Sequence, residues 1–156
     1  MQRCTFPKPT RWLVLLLLVI LPAGCGEKRP VRVPVSGQVL IDGKPLGLGF
    51  IRFVPADARA SGGPIGPDGR FTLTCYDGED GAVVGTHRIE VAAGEDLGER
   101  TKRWHAPKKY ADVATSGLTQ EITGPTDALV VELTWDGGAP FVEQFQPEPG
   151  MEGIFK

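Results

Sequence analysis

From residue 35 onward, apolar side chains recur at every second position in short runs, and each run stops at a proline, a glycine or an Asp-Gly pair. A period of two puts alternate side chains on opposite faces of an extended chain, so the pattern dictates half-buried strands. Val35, Gly37, Val39 and Ile41 alternate with Ser36, Gln38 and Leu40. Asp42-Gly43-Lys44-Pro45 then supplies turn chemistry before a second apolar run over 46–54, which reads as the other arm of a hairpin. In that arm Gly49, Ile51 and Phe53 share one face, and Pro55, lacking an N–H, ends it. Asp68-Gly69 feeds a strand over 71–76, 77–81 is a further turn, and 83–93 is a longer strand with His87, Ile89 and Val91 on one face. Runs over 118–123 and 128–135 complete the series. Six strands, a seventh within 61–66 and no amphipathic helix of three turns predict an all-β chain, an antiparallel β-sandwich.

The N-terminus follows different rules. Residues 12–21 form ten consecutive apolar positions behind Arg3, Lys8 and Arg11, followed by Pro22-Ala23-Gly24-Cys25. Ten residues at about 1.5 Å each cover half of a ~30 Å hydrocarbon core, so the run is too short to span a bilayer as a helix. A basic start, an apolar centre and small residues before a cysteine make a secretory signal. It resembles a bacterial lipoprotein signal, although Pro22 stands where such signals usually carry leucine. That resemblance implies cleavage after Gly24, lipidation of Cys25 and a membrane-anchored lipoprotein of the cell envelope facing the periplasm or exterior. Two or three acyl chains hold a protein stably, where one alone is marginal. The predicted organisation is therefore a signal peptide over 1–24, a polar, proline-punctuated tether over 25–34, the sandwich over 35–135, and a tail over 136–156. The tail carries Phe141, Phe145 and Phe155 among Gly, Pro and Glu, and reads either as a frayed terminus or as an added strand at 140–145, with partial disorder favoured.

With Cys4 removed in the signal and Cys25 lipidated, Cys75 is left alone and no intramolecular disulfide forms. It alternates with Phe71 and Leu73 and reads as a small buried hydrophobe. From Cys25 the chain holds 14 basic and 19 acidic residues, a net charge of −5, which argues against a nucleic-acid partner.

Several segments, in order, resemble one family: Val33-Pro34-Val35-Ser36-Gly37 into Asp42-Gly43-Lys44-Pro45-Leu46, Phe53-Val54-Pro55, Asp68-Gly69-Arg70-Phe71, Gly85-Thr86-His87-Arg88-Ile89 and Lys109-Tyr110-Ala111-Asp112. Together they look like the small carboxypeptidase-regulatory-like, transthyretin-like lipoproteins of planctomycete-type bacteria, over about residues 1–135. The resemblance implies a prealbumin-like Greek-key sandwich of about seven strands and no established activity. Ile65-Gly66 and Val113 depart from the family's usual Thr-Asp and proline at those points.

Catalytic chemistry finds little footing. His87-Arg88-Ile89-Glu90 has the His-x-x-Glu spacing of zinc carboxypeptidases, but residues three apart on a strand face opposite ways. Asp77, Glu79 and Asp80 are the densest carboxylate group, yet the sixth position of an EF-hand loop would be Ala82 rather than Gly, so they read as a solvated turn. No Gly-x-Ser-x-Gly and no phosphate-cradling glycine motif is present. No catalytic residue, metal ligand or cofactor is therefore assigned. The connection over 93–117 is long for a compact domain, and Pro107 before Lys108-Lys109-Tyr110-Ala111 permits one helical turn. Residues 100–110 concentrate five basic and two aromatic side chains. Arg103, Trp104 and Lys108 are the candidate binding residues of this loop; the competing reading is a solvated loop whose Tyr110 packs inward. The expected function is a non-enzymatic binding or structural module of the envelope, its partner a protein or polysaccharide. The alternative is a small transthyretin-like hydrolase or ligand carrier.

Overall fold

The computed structural model describes residues 30–146. Cys25, the signal segment, residues 25–29 of the tether and residues 147–156 of the tail lie outside the described residues. Thirteen strands follow in order: β1 (Arg32–Val33), β2 (Val35–Ile41), β3 (Lys44–Pro45), β4 (Phe50–Pro55), β5 (Ser61–Pro64), β6 (Arg70–Thr72) and β7 (Ala82–Val83). They continue with β8 (Gly85–Ala92), β9 (Gly94–Gly98), β10 (Thr101–Trp104), β11 (Leu118–Ile122), β12 (Thr126–Leu133) and β13 (Phe141–Gln144). A 3-10 turn, Lys108–Ala111, precedes β11.

Two sheets form the sandwich. One has the order β11-β8-β4-β5; the other has the order β12-β2-β3, with β6 also paired to β2. Of the residues that the period-two pattern assigns to the inside, Val35 and Val39 of β2, Ile51 and Phe53 of β4, Ile89 and Val91 of β8, and Val131 and Leu133 of β12 are all buried, while Ile41 is half-buried. Phe53 and Phe71 meet across the core with ring centroids 6.0 Å apart. Burying an aromatic or branched aliphatic side chain contributes about 1.5–3 kcal/mol, so this shared core holds the sheets together.

Three expectations are corrected. The strand count exceeds seven, because glycines and an exposed Val84 split long runs and because the 93–117 connection contains strands of its own. The hairpin over 35–54 is only begun: β3 pairs with β2 for two residues, after which the chain crosses to the other sheet as β4. Gly49 makes the crossing, with φ at +127°, and a Cβ there would stand 2.7 Å from the carbonyl oxygen of Ala92. Finally, the pairing is not wholly antiparallel, since β12 runs parallel to β2 from Thr126↔Val35 to Leu133↔Ile41.

Within the described part of the tail, Phe141–Gln144 form the added strand. β9, β10 and β13 form a third, antiparallel sheet in the order β13-β10-β9, with β9 following β8 after Ala93. The N-terminal segment is also attached, through β1 paired to β7.

Candidate functional site

The basic stretch expected to be a loop is the strand β10 and the helical turn after it. Its register sets opposite charges across from one another: Lys102 faces Asp96 and Arg103 faces Glu95 on β9, while Lys102 faces Glu143 on β13. Lys102 Nζ lies 3.3 Å from Asp96 Oδ1, and Arg103 lies 3.6 Å from Glu95 Oε2. His105 Nε2 also reaches Glu95, at 3.0 Å.

Glu143 is the centre of the arrangement. Trp104 Nε1 donates to one of its carboxylate oxygens at 2.8 Å and Lys108 Nζ to the other at 2.7 Å. The hydrogen bond from Lys108, then that from Trp104, hold the Glu143 carboxyl below the usual glutamate range. Lys102 and Lys108 each stand 5.6 Å from the centroid of the Trp104 ring, within cation–π reach. Arg103 and Trp104 thus lie on β10 and Lys108 on the helical turn after it, and all three bind this chain's own carboxylates, with Trp104 and Lys108 sharing Glu143 of the tail strand.

Lys109 completes the pattern. Its Nζ donates to Asp136 Oδ2 at 2.8 Å, which raises the lysine and lowers the carboxyl from their ordinary values. Tyr110 turns inward as the competing reading expected: it is buried, and its hydroxyl exchanges hydrogen bonds with the carbonyl and N–H of Thr134.

The residues tested for catalysis are also engaged structurally. His87 is fully buried, with Nε2 2.9 Å from the Val83 carbonyl oxygen and its ring edge against Phe53. Glu90 points the other way and pairs with Arg52 at 2.6 Å. His105 belongs to the hairpin and lines a cleft with Trp135 and Lys44, so the two imidazoles share no surface. Ser116 donates to the Ile89 carbonyl oxygen, fixing the turn before β11. Among the described residues no three His, Cys, Asp or Glu side chains are grouped to hold a metal ion.

The 77–81 turn, expected to be merely solvated, has a structural task that the sequence concealed. Asp80 Oδ1 accepts from the N–H of Cys75 at 2.6 Å and of Tyr76 at 3.2 Å, and Oδ2 pairs with Arg32 at 2.7 Å. Burial alone would raise this carboxyl, but the backbone N–H groups of Cys75, Tyr76 and Asp77, with Arg32, outweigh it and hold it below the usual range. Arg32 also stands 4.9 Å from the Tyr76 ring centroid. The tether therefore enters the sandwich through a clamp of one ion pair, one cation–π contact and the β1·β7 ladder.

Cys75 is buried and unpaired, its Sγ 3.7 Å from the Arg59 carbonyl oxygen. Comparison of the chain with protein-family models, with curated proteins and with solved structures found no match.

Proposed function

We propose that this protein is a lipid-anchored, non-enzymatic binding or structural module of the cell envelope. The observation that carries the reading is the clamped entry of the N-terminal segment. Arg32, on β1, is fastened to Asp80 and Tyr76, and Cys25 precedes it by seven positions. Seven extended residues reach at most about 25 Å, so a lipid on Cys25 would hold the sandwich close to the bilayer. The signal-like run before Cys25 and the resemblance to small transthyretin-like lipoproteins agree with that arrangement.

The engagement of both histidines in structural contacts supports a binding role over a hydrolase. A hydrolase needs a base within hydrogen-bond reach of its nucleophile; His87 contacts Val83 and Phe53, and His105 contacts Glu95. Metabolic labelling with radioactive palmitate tests the anchor: label is expected on the native chain and absent from Cys25→Ala, and label persisting in the variant overturns the reading.

A further inference from the structure

We infer that the cleft between β4, β5 and the segment 74–76 is a binding site for a carboxylate-bearing saccharide. This deepens the binding-module reading by naming the partner class, and it uses none of the hairpin residues considered above. The cleft has a volume of about 650 Å³ and is lined by Phe50, Arg52, Arg59, Pro64, Thr74 and Tyr76 among small residues. That volume lies within the range of about 300–1,000 Å³ typical of small-ligand sites.

Charge selects the ligand's sign. No aspartate or glutamate lines the cleft. Of the five basic residues over 100–110, Lys102, Arg103, Lys108 and Lys109 each have a carboxylate of this chain. Arg59, by contrast, pairs with no carboxylate among the described residues, and its guanidinium stands 5.0 Å from the Tyr76 ring centroid. Arg52, on the same cleft, gives one amino group to Glu90, and a guanidinium has five N–H donors. Two guanidiniums lining one cleft suit a planar carboxylate, which guanidinium binds bidentately.

The remaining lining selects the ligand's body. Phe50 is 45% exposed, and its ring offers an aromatic face whose negative potential attracts the C–H face of a pyranose. The Thr74 hydroxyl adds a donor and acceptor for sugar hydroxyls. A peptide adding as a strand is disfavoured because the β5 edge is closed. Gly62 and Thr74 exchange N–H···O bonds of 2.9 Å, and Pro64 has no N–H. An anionic bilayer is disfavoured because Asp57 adjoins Arg59 in the neighbouring hollow and Asp77 and Glu79 occupy the next turn. A flat anionic surface would meet these acids together with the arginines, whereas a saccharide in the cleft meets the arginines alone.

The test is calorimetric titration of the detergent-solubilised full chain with tetragalacturonate, maltotetraose and phosphatidylglycerol vesicles. Tetragalacturonate is expected to bind, with affinity at least tenfold weaker for Arg59→Ala, intermediate for Arg59→Lys and unchanged for Lys44→Ala. Arg59 is exposed, so its replacement leaves the fold intact, which circular dichroism verifies. Equal binding of maltotetraose, an unaffected Arg59→Ala variant, absence of tetragalacturonate binding, or Arg59-dependent binding of vesicles in its place each overturns the site. Release of reducing ends from bound tetragalacturonate would instead refute the non-enzymatic reading and leave the site standing.

Discussion

Asp80 shows how much one side chain does that its sequence neighbourhood conceals. Within Asp77-Gly78-Glu79-Asp80-Gly81 it looks like any acid of a solvated turn, but it accepts from the backbone N–H groups of Cys75, Tyr76 and Asp77 and holds Arg32 of the incoming tether. Removing it leaves those donors without their acceptor, so Asp80→Ala is expected to cost about 1–3 kcal/mol in denaturant unfolding. The sign of its pH dependence follows from a carboxyl held below its ordinary range. Its stabilisation is complete above the unfolded value of about 3.9 and is lost as pH falls through the lower folded value. The acid limb of the stability curve should therefore be flatter in Asp80→Ala than in the native chain. Cys75 was legible, because its alternation with Phe71 and Leu73 places it inside; it should react with maleimide only after unfolding. Gly37 was not legible as a packing constraint. A Cβ there would collide with the backbone carbonyl of Leu129 on β12, so Gly37→Ala is expected to lower stability by about 1–3 kcal/mol.

At the scale of elements, the strands that bury one face could be read from the alternation of apolar residues, and the third sheet could not. Gly94-Glu95-Asp96-Leu97-Gly98 is exposed on both faces and Thr101-Lys102-Arg103-Trp104 fully buries neither, so no apolar period marks them. Their signal is charge symmetry about Glu99: Glu95 opposes Arg103 and Asp96 opposes Lys102, as cross-strand pairing favours. β13 was readable only as one of two alternatives, since Phe141 and Val142 remain substantially exposed within it. Its attachment rests on ladder bonds and on Glu143, and each should be separable from the sandwich. Truncation after Gly138 is expected to shift Trp104 fluorescence and raise hydrogen exchange in β10, leaving the exchange protection of β4 and β8 unchanged. Loss of protection in β4 would show that the third sheet supports the core. Because Glu143 titrates below its ordinary range, the hold on β13 should weaken as pH falls through that lowered value, with exchange in β13 rising first.

Across the whole molecule, the all-β sandwich was legible because two sheets must hide one face each, and period-two patterning records which face. The parallel pairing of β12 with β2 was not, since alternation fixes a strand's faces and says nothing about its direction. The candidate stretch was found from composition, but composition could not reveal that Lys102, Arg103, Lys108 and Lys109 face carboxylates 6 to 35 residues away. The two histidines and the clamped tether both bear on the central claim, that the sandwich is a tethered module held near a membrane. Intact-mass spectrometry of the chain extracted from membranes in detergent tests that claim most directly. The account predicts a polypeptide beginning at Cys25 and heavier than its sequence by a diacylglyceryl group, with or without a third acyl chain. A chain that retains residues 1–24, or begins at Cys25 without added lipid, would contradict it.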